Sequence, residues 1–251
     1  MADPKTFFPA VTAFIAFILT LICLFAGTQR NLLDSADLLT LYTPESPSGT
    51  TGTAHNFYSV HVMSYCQGTL GTVGPGAAGA SRNVTSCSSR TILFSFDPTA
   101  AWPTEITQSK ELNWPRVISD DFHAFRISSQ SMAVLYCIGV GAMGAAVLVR
   151  ASSFVAPRAQ TGLFEFGFLV LGSLSISIAS IIATVIALEF VALINAHGDG
   201  SNVSAKYGDK FLGMTWASAG LLLLGSIACF VNVFVRNNTP VAEAPPKDEE
   251  E

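Results

Sequence analysis

Two cysteines, Cys66 and Cys87, carry the most specific chemistry in the sequence, and both lie in a long polar segment between the first two hydrophobic runs. A pair of thiols can close a disulfide, hold a metal ion or supply a nucleophile. No paired histidines accompany them nearby, which makes a poor zinc site. An oxidising compartment favours the disulfide. We therefore predict a Cys66–Cys87 disulfide, which would stabilise a small domain by about 3 kcal/mol.

Histidine is the other residue type with relevant chemistry, because its side chain changes charge near neutral pH. The sequence holds four, His55, His61, His123 and His197, all on the outer side of the topology derived below. A chain that senses external pH would place imidazoles there. Polar loops also supply surface histidines that have no such role, and we favour this surface interpretation for all four.

Motifs for catalysis or nucleotide binding are not found in the sequence. Serines are plentiful, but no Gly-x-Ser-x-Gly elbow occurs. The glycines from Gly68 to Gly79 fit no phosphate-binding loop, and we interpret them as a flexible interval. We predict a non-enzymatic protein that uses no cofactor or metal and binds no nucleic acid.

The composition indicates a membrane protein. Half of the residues are hydrophobic, only 12% are charged, and the mean hydropathy is +0.46. Crossing the hydrocarbon layer as a helix takes about 20 apolar residues. Four runs satisfy this length and are predicted as spans: 7–26, 132–149, 166–190 and 211–235. The first run exceeds the usual length of a signal-peptide core, so we favour an uncleaved span over a cleaved signal.

Basic residues set the orientation, because they are enriched on the cytosolic side of membrane spans. Those on the side that holds both termini are Lys5, Arg150, Arg158, Arg236 and Lys247. Only Lys206 and Lys210 lie in the short loop opposite. Both termini are therefore predicted to be cytosolic. The remaining segments are a leader at 1–6, an outer loop at 27–131, a cytosolic loop at 150–165, a short outer loop at 191–210 and an acidic cytosolic tail at 236–251.

Glycosylation sequons agree with this orientation. Asn83 begins one sequon in the long outer loop, and Asn202 begins another in the short outer loop, so both are candidate sites. A third tripeptide, which begins at Asn237, falls on the cytosolic side and is discounted.

Small and hydroxyl-bearing residues mark faces on which the spans can pack. The small residues of the second span are Gly139, Gly141, Gly144 and Ala145. The hydroxyl residues of the third span are Ser173, Ser177, Ser180 and Thr184, all within a narrow arc. Such a stripe can line a pore, but we favour hydroxyls bonded to their own backbone or to a neighbouring helix. Glu189 is the only acidic residue that this reading places within a span.

The long outer loop shows short strand patterns. We predict strands at Asp37–Thr43, Phe57–Tyr65 and Thr91–Phe96, from their β-branched and aromatic residues and the turn residues around them. From Trp114 onward, apolar residues recur at spacings of three and four, which predicts a helix that leads directly into the second span.

Several short motifs together resemble one known family. They are Leu38–Tyr42, Phe57-Tyr58, Ser64–Gly68, Cys87, Phe94–Pro98, Trp114-Pro115 and Leu135-Tyr136. In these the chain resembles the fungal four-span proteins of plasma-membrane cortical patches, called eisosomes, together with the PalI-type pH-response proteins. That family is similar in layout to claudins, although Met63-Ser64-Tyr65 stands here in place of the claudin tryptophan motif.

The residues predict a mainly α membrane protein: a four-transmembrane-helix bundle with a disulfide-stapled small β-sheet domain in the first extracellular loop. The resemblance adds a location in the plasma membrane and a role in organising cortical domains, with effects on cell-wall and endocytic organisation. The partners it implies are membrane lipids and, laterally, further copies or other cortical-patch proteins. The alternative within the family is an accessory protein of ambient-pH sensing.

Overall fold

Four long helices form the body of the protein. The computed structural model describes residues 4–28, 33, 35–43, 57–71, 81–91, 116–155, 161–197 and 203–235. The helices are α1 (Pro4–Phe25), α2 (Arg116–Val155), α3 (Thr161–His197) and α4 (Asp209–Phe230), and a π-helical turn, Val231–Val235, continues α4. Each contains a segment long and apolar enough to cross a membrane. The predicted mainly helical architecture with four membrane helices is confirmed.

Two of the helices are longer than a bilayer requires. α2 has 40 residues and α3 has 37, and at about 1.5 Å per residue each exceeds the roughly 30 Å of hydrocarbon. The apolar segment of α2 is Phe125–Ser153 and that of α3 is Gly162–Ala196. The ends of both helices therefore carry side chains beyond the predicted spans.

The helices contact one another in the cyclic order α1, α2, α3, α4, so that each has two main neighbours. Small residues bring them close. A Cβ atom added at Gly139 of α2 would clash with Ile176 of α3, and one added at Gly225 of α4 would meet Thr12 of α1. Close backbone approach is the usual source of packing energy between membrane helices.

A five-stranded antiparallel sheet lies at one end of the bundle. Its strands are β1 (Leu39–Tyr42), β2 (Phe57–Val60), β3 (Tyr65–Gly71), β4 (Ser81–Cys87) and β5 (Ser204–Tyr207), in the spatial order β4-β3-β2-β1-β5. β5 follows α3, whereas the other four strands follow α1. The sheet thus joins the two predicted outer loops instead of belonging to the first alone.

The predicted strands differ from the observed ones in several places. The second predicted strand is a hairpin: β2 ends at Val60, the His61 N–H donates to the Ser64 carbonyl at 2.8 Å, and β3 begins at Tyr65. Gly68 and Gly71 of the predicted flexible interval lie within β3. Thr91 is not in a strand, and the rest of the predicted third strand lies outside the described residues. β4 and β5 were not predicted.

The two faces of the sheet belong to different cores. The side chains that alternate toward the bundle join the core of the helices: Leu39, Leu41, Tyr58 and Val60. The opposite face forms a small second core around Phe57, Cys66 and Val84. Because both faces of the sheet are covered here, β2 is buried along its whole length. A strand that is buried on both faces needs little alternation of polar and apolar residues.

Candidate functional site

The predicted disulfide is the link between two neighbouring strands. Cys66 of β3 stands directly opposite Cys87 of β4 in the register, and the two sulfur atoms are bonded. The prediction of a Cys66–Cys87 disulfide is confirmed. The other cysteines are free, with Cys23 and Cys229 buried and Cys137 half-buried among the helices. They behave there as small apolar side chains.

The hairpin between β2 and β3 contacts the C-terminal end of α1. Gly27 follows α1 with φ of +69°, and the ring of His61 lies so close that a Cβ on Gly27 would clash with it. The Ser64 hydroxyl donates to the Gly27 carbonyl oxygen at 2.9 Å. A glycine is required here, because the left-handed conformation and the imidazole both exclude a side chain.

His61 itself is buried. Its side chain is 2% exposed, and Nδ1 lies 3.3 Å from the Ala36 carbonyl oxygen. The interpretation of this histidine as a surface residue is wrong, because the hairpin turns its ring onto the end of α1. His55 lies outside the described residues, as do the side chains of His123 and His197.

β5 is attached to both the sheet and α3. It pairs with β1 from Leu39 opposite Tyr207 to Tyr42 opposite Ser204. The Asn195 amide of α3 donates to the Ala205 carbonyl at 3.1 Å, and its oxygen accepts from the Ala205 N–H at 2.8 Å. These two hydrogen bonds satisfy the backbone N–H and carbonyl of Ala205 as a neighbouring strand would, and they fix β5 against α3.

Arg82 covers the outer face of the sheet. Its guanidinium lies 5.8 Å from the centre of the Tyr42 ring and 5.7 Å from that of Phe57, and it donates to the Tyr42 hydroxyl at 2.7 Å. It also pairs with Asp37 at 3.6 Å, and Asp37 in turn accepts a short bond from Thr40. Stacking and charge pairing together shield the second core from water.

Tyr58 faces the opposite way, into the core that the sheet shares with the helices. Burial raises the pKa of its phenol, and the neighbouring Tyr65 acts in the same direction. The phenol therefore stays neutral throughout the physiological range of pH.

A hydrogen-bonded cluster lies within the membrane bundle. The Thr215 hydroxyl of α4 contacts the Tyr136 hydroxyl of α2 at 2.5 Å and that of Ser180 of α3 at 2.7 Å. Thr184 bonds the Ser180 carbonyl and accepts from the indole N–H of Trp216. Three helices are tied together here, and the three central side chains are fully buried.

The other hydroxyl and small residues singled out in the sequence take different positions. Among the described residues, Ser173 and Ser177 are not members of this cluster; the first is buried and the second half-buried. Gly144 lies near Phe17 of α1, whereas a Cβ on Gly141 would meet open space; Ala145 is half-buried.

The opposite end of the bundle contains an ion pair that sequence reasoning missed. Arg150 of α2 lies 3.7 Å from Glu165 of α3, with the two side chains 22% and 7% exposed. The Arg150 guanidinium also stacks on Phe7 of α1. Both charges fall in the predicted cytosolic loop 150–165, but Arg150 lies within α2, which ends at Val155, and Glu165 lies within α3, which begins at Thr161. Glu189 is exposed and lies in the same apolar segment, Gly162–Ala196, as Glu165, so Glu189 is not the only acid within that segment.

The signal for this ion pair was present in the sequence. Leu163, Phe164 and Phe166 surround Glu165, and apolar neighbours on both sides indicate a helix that continues past a charge. A charge in such a setting requires a partner of opposite sign, and the two arginines that precede it at short range are Arg150 and Arg158, between which the sequence alone does not choose.

Only one of the two candidate glycosylation sites lies within the described residues. Asn83 is exposed on β4, and Asn202 lies outside the described residues. No group of three or more metal-ligating side chains occurs within the described part of the chain.

Comparison with known proteins completes the description of the chain. A search of curated proteins found no significant match. A family model described as the SUR7/PalI family matches residues 5–228, which include all five strands and all of the four helices except Pro4 of α1 and the last two residues of α4. The chain belongs to the SUR7/PalI family of membrane proteins.

Proposed function

We propose that this protein organises cortical domains of the plasma membrane, of the eisosome type, as a non-enzymatic multi-pass component with both termini in the cytosol. Through those domains it supports cell-wall and endocytic organisation. Family membership supports a membrane protein of this kind.

The observation that carries the proposal is the union of both outer loops into one head. We use "head" for the sheet β1–β5 together with the hairpin that contacts Gly27. Pairing of β1 with β5, and the Asn195 contact, fix the head to α1 and α3 at once. A head that is fixed to two helices keeps its position relative to the bundle, which suits it to contact other molecules at the membrane surface.

The helices offer a broad apolar surface for lateral contacts. Large side chains that point away from the bundle include Phe14, Leu174 and Leu224, each more than half exposed. The surroundings of these residues in a bilayer are lipid tails or another membrane protein. We infer that the partners are membrane lipids together with further copies of the chain or other cortical-patch proteins.

Localisation tests this function. A fluorescent protein is fused to the C-terminus of the full chain and imaged beside a marker of cortical patches. We expect static surface patches that coincide with the marker and recover slowly after photobleaching. A diffuse signal in the endoplasmic reticulum or the vacuole would contradict the proposal.

A second candidate function, accessory to ambient-pH sensing, is favoured by the position of His61. This imidazole lies buried between the hairpin and the end of α1, where a change of charge would disturb the contact of the head with the bundle. Substitution of His61 by Gln should then abolish adaptation to alkaline medium. The matched control substitutes the other three histidines, and an unaltered response of His61→Gln cells would exclude this candidate.

A further inference from the structure

An exposed arginine lies over an aromatic ring at the C-terminal end of α1. The guanidinium of Arg90 is 5.6 Å from the centre of the Phe25 ring. Phe25 is the last residue of α1 and also of its apolar segment, Phe7–Phe25. Its side chain is 37% exposed, so in a bilayer it contacts lipid at the edge of the hydrocarbon layer. Arg90 is therefore held at the boundary between the hydrocarbon and the lipid headgroups.

The backbone on both sides of Arg90 is fixed to the hairpin between β2 and β3. The Ser88 N–H donates to the Tyr65 carbonyl at 2.8 Å, and the Thr91 N–H donates to the Met63 carbonyl at 3.1 Å. The Tyr65 N–H in turn donates to the Ser88 hydroxyl at 3.0 Å. Because the same hairpin contacts the end of α1, the fold itself places Arg90 beside this helix.

The other two stacked arginines each have an acidic partner. Arg82 lies over two rings of the sheet and pairs with Asp37. Arg150 lies over a ring at the opposite end of α1 and pairs with Glu165. Arg90 is exposed, and within the described part of the chain no acid forms an ion pair with it. Its position at the headgroup level makes a lipid anion the natural counterpart of this charge.

We propose that Arg90 and Phe25 form a binding site for the phosphate group of a phospholipid, in the leaflet on the side of the sheet. Stacking on a ring uses the flat face of a guanidinium and leaves its N–H donors, which lie in the plane, available to phosphate oxygens. The exposed ring beneath contacts the acyl chains of the same lipid. An amphipathic ligand satisfies both groups, whereas a dissolved phosphate ion satisfies the arginine alone.

The site makes specific the membrane-lipid partner of the proposed function, and it rests on that function only in that the helices span a bilayer. Its tests use purified protein and do not involve cortical patches. The lipid site and the cortical role can therefore fail separately.

Lipid counting on the full chain tests the ligand. The unsubstituted protein in dodecyl maltoside is titrated with phosphatidylglycerol, and the bound lipids are counted by native mass spectrometry. Diacylglycerol with the same acyl chains is the control ligand, because it lacks the phosphate. We expect phosphatidylglycerol to bind several-fold more tightly. Equal affinity for the two lipids would overturn the proposal, and so would displacement of phosphatidylglycerol by an equal concentration of inorganic phosphate.

Variants assign the bound lipid to Arg90. Arg90→Gln should weaken phosphatidylglycerol binding several-fold and leave diacylglycerol binding unchanged. Lys206→Gln removes the same charge from another exposed side chain at this end of the bundle, and it should change the affinity far less. Equal losses for the two variants would indicate attraction by net charge alone and would overturn the site.

The ring has a matched control on the same helix. Phe25→Leu keeps an apolar side chain but removes the ring beneath the guanidinium, so it should weaken phosphatidylglycerol binding. Phe14→Leu changes another exposed phenylalanine of α1, which no described arginine contacts, and it should have no such effect. Arg90→Gln combined with Phe25→Leu should lose no more than Arg90→Gln alone, because the two groups act together. Additive losses would contradict a shared site.

Contact in a bilayer is measured on the unsubstituted chain, so this result stands even where a variant fails to fold. The chain is labelled with carbon-13 arginine and placed in phosphatidylcholine vesicles, and solid-state NMR records the dephasing of guanidinium carbons by lipid phosphorus. We expect strong dephasing of the Arg90 signal and weak dephasing of the Arg82 signal, since Arg82 pairs with Asp37 in the sheet. Equally weak dephasing of both signals would overturn the proposal.

Discussion

Gly27 is the residue on which the contact between α1 and the head depends. Its φ of +69° and the adjacent His61 ring leave no room for a Cβ. We expect Gly27→Ala to lower the free energy of unfolding by about 2 kcal/mol, since the left-handed conformation alone costs roughly 1–2 kcal/mol. Thermal unfolding in detergent measures this. Gly141→Ala is the control, because its Cβ would meet open space. Equal melting temperatures for the two variants would contradict the assigned role of Gly27.

The Cys66–Cys87 disulfide also contributes to the stability of the head. Replacement of both Cys66 and Cys87 by Ser should lower the stability of the head by about 3 kcal/mol, because the open chain regains the entropy of an unlinked loop. Hydrogen exchange should then accelerate in β3 and β4 while the helices keep their protection. Cys137→Ala serves as the control, since this free thiol lies in α2. Unchanged exchange in β3 and β4 of the double variant would contradict this stabilisation.

The sequence was sufficient to predict the cysteine pair but not the place of His61. A pair of thiols in an outer loop has one favoured chemistry in an oxidising compartment. The burial of His61 depends on the hairpin meeting Gly27, 34 residues earlier in the chain by their numbers. No pattern of residues near His61 or Gly27 in the sequence indicates this contact.

At the scale of elements, the ion pair of α2 and α3 sets the packing at one end of the bundle. Glu165→Gln leaves Arg150 without its opposite charge, and breaking a buried pair costs roughly 3–5 kcal/mol. The measured loss should fall near the lower end of this range, because Arg150 is 22% exposed. Thermal unfolding in detergent, at matched pH and salt, is the measurement.

A double variant provides the control for this prediction. Arg150→Met combined with Glu165→Leu removes both charges and keeps apolar volume, so its loss of stability should be much smaller than that of Glu165→Gln. If the double variant is as unstable as the single one, the pair is not what stabilises this end of the bundle.

The elements differ in how far the sequence specifies them. Long apolar runs identify the four membrane helices without reference to anything else. β4 and β5 have no comparable signal: Val84 is the one buried apolar residue of β4, and β5 has four residues in all. These strands form because β3 and β1 offer partners, and such pairing between distant segments is not visible in local periodicity.

For the whole molecule, the decisive feature is that one sheet joins both predicted outer loops to the helices. The sequence predicts the bundle, the disulfide and a small sheet, but it assigns the sheet to the first loop alone. Recruitment of β5 makes the head continuous with α3 and α4, because β5 lies directly between them in the chain. Displacement of the head would therefore be transmitted to three of the four helices.

The claim that this protein organises cortical domains is tested most directly by the patches themselves. The measurement is the number and persistence of marker patches in cells that lack the chain, compared with cells that regain it. We expect fewer and shorter-lived patches without the protein, restored by the unsubstituted chain and by Gly141→Ala but only weakly by Gly27→Ala. Marker patches that are unaltered in number and persistence when the protein is absent would contradict the account.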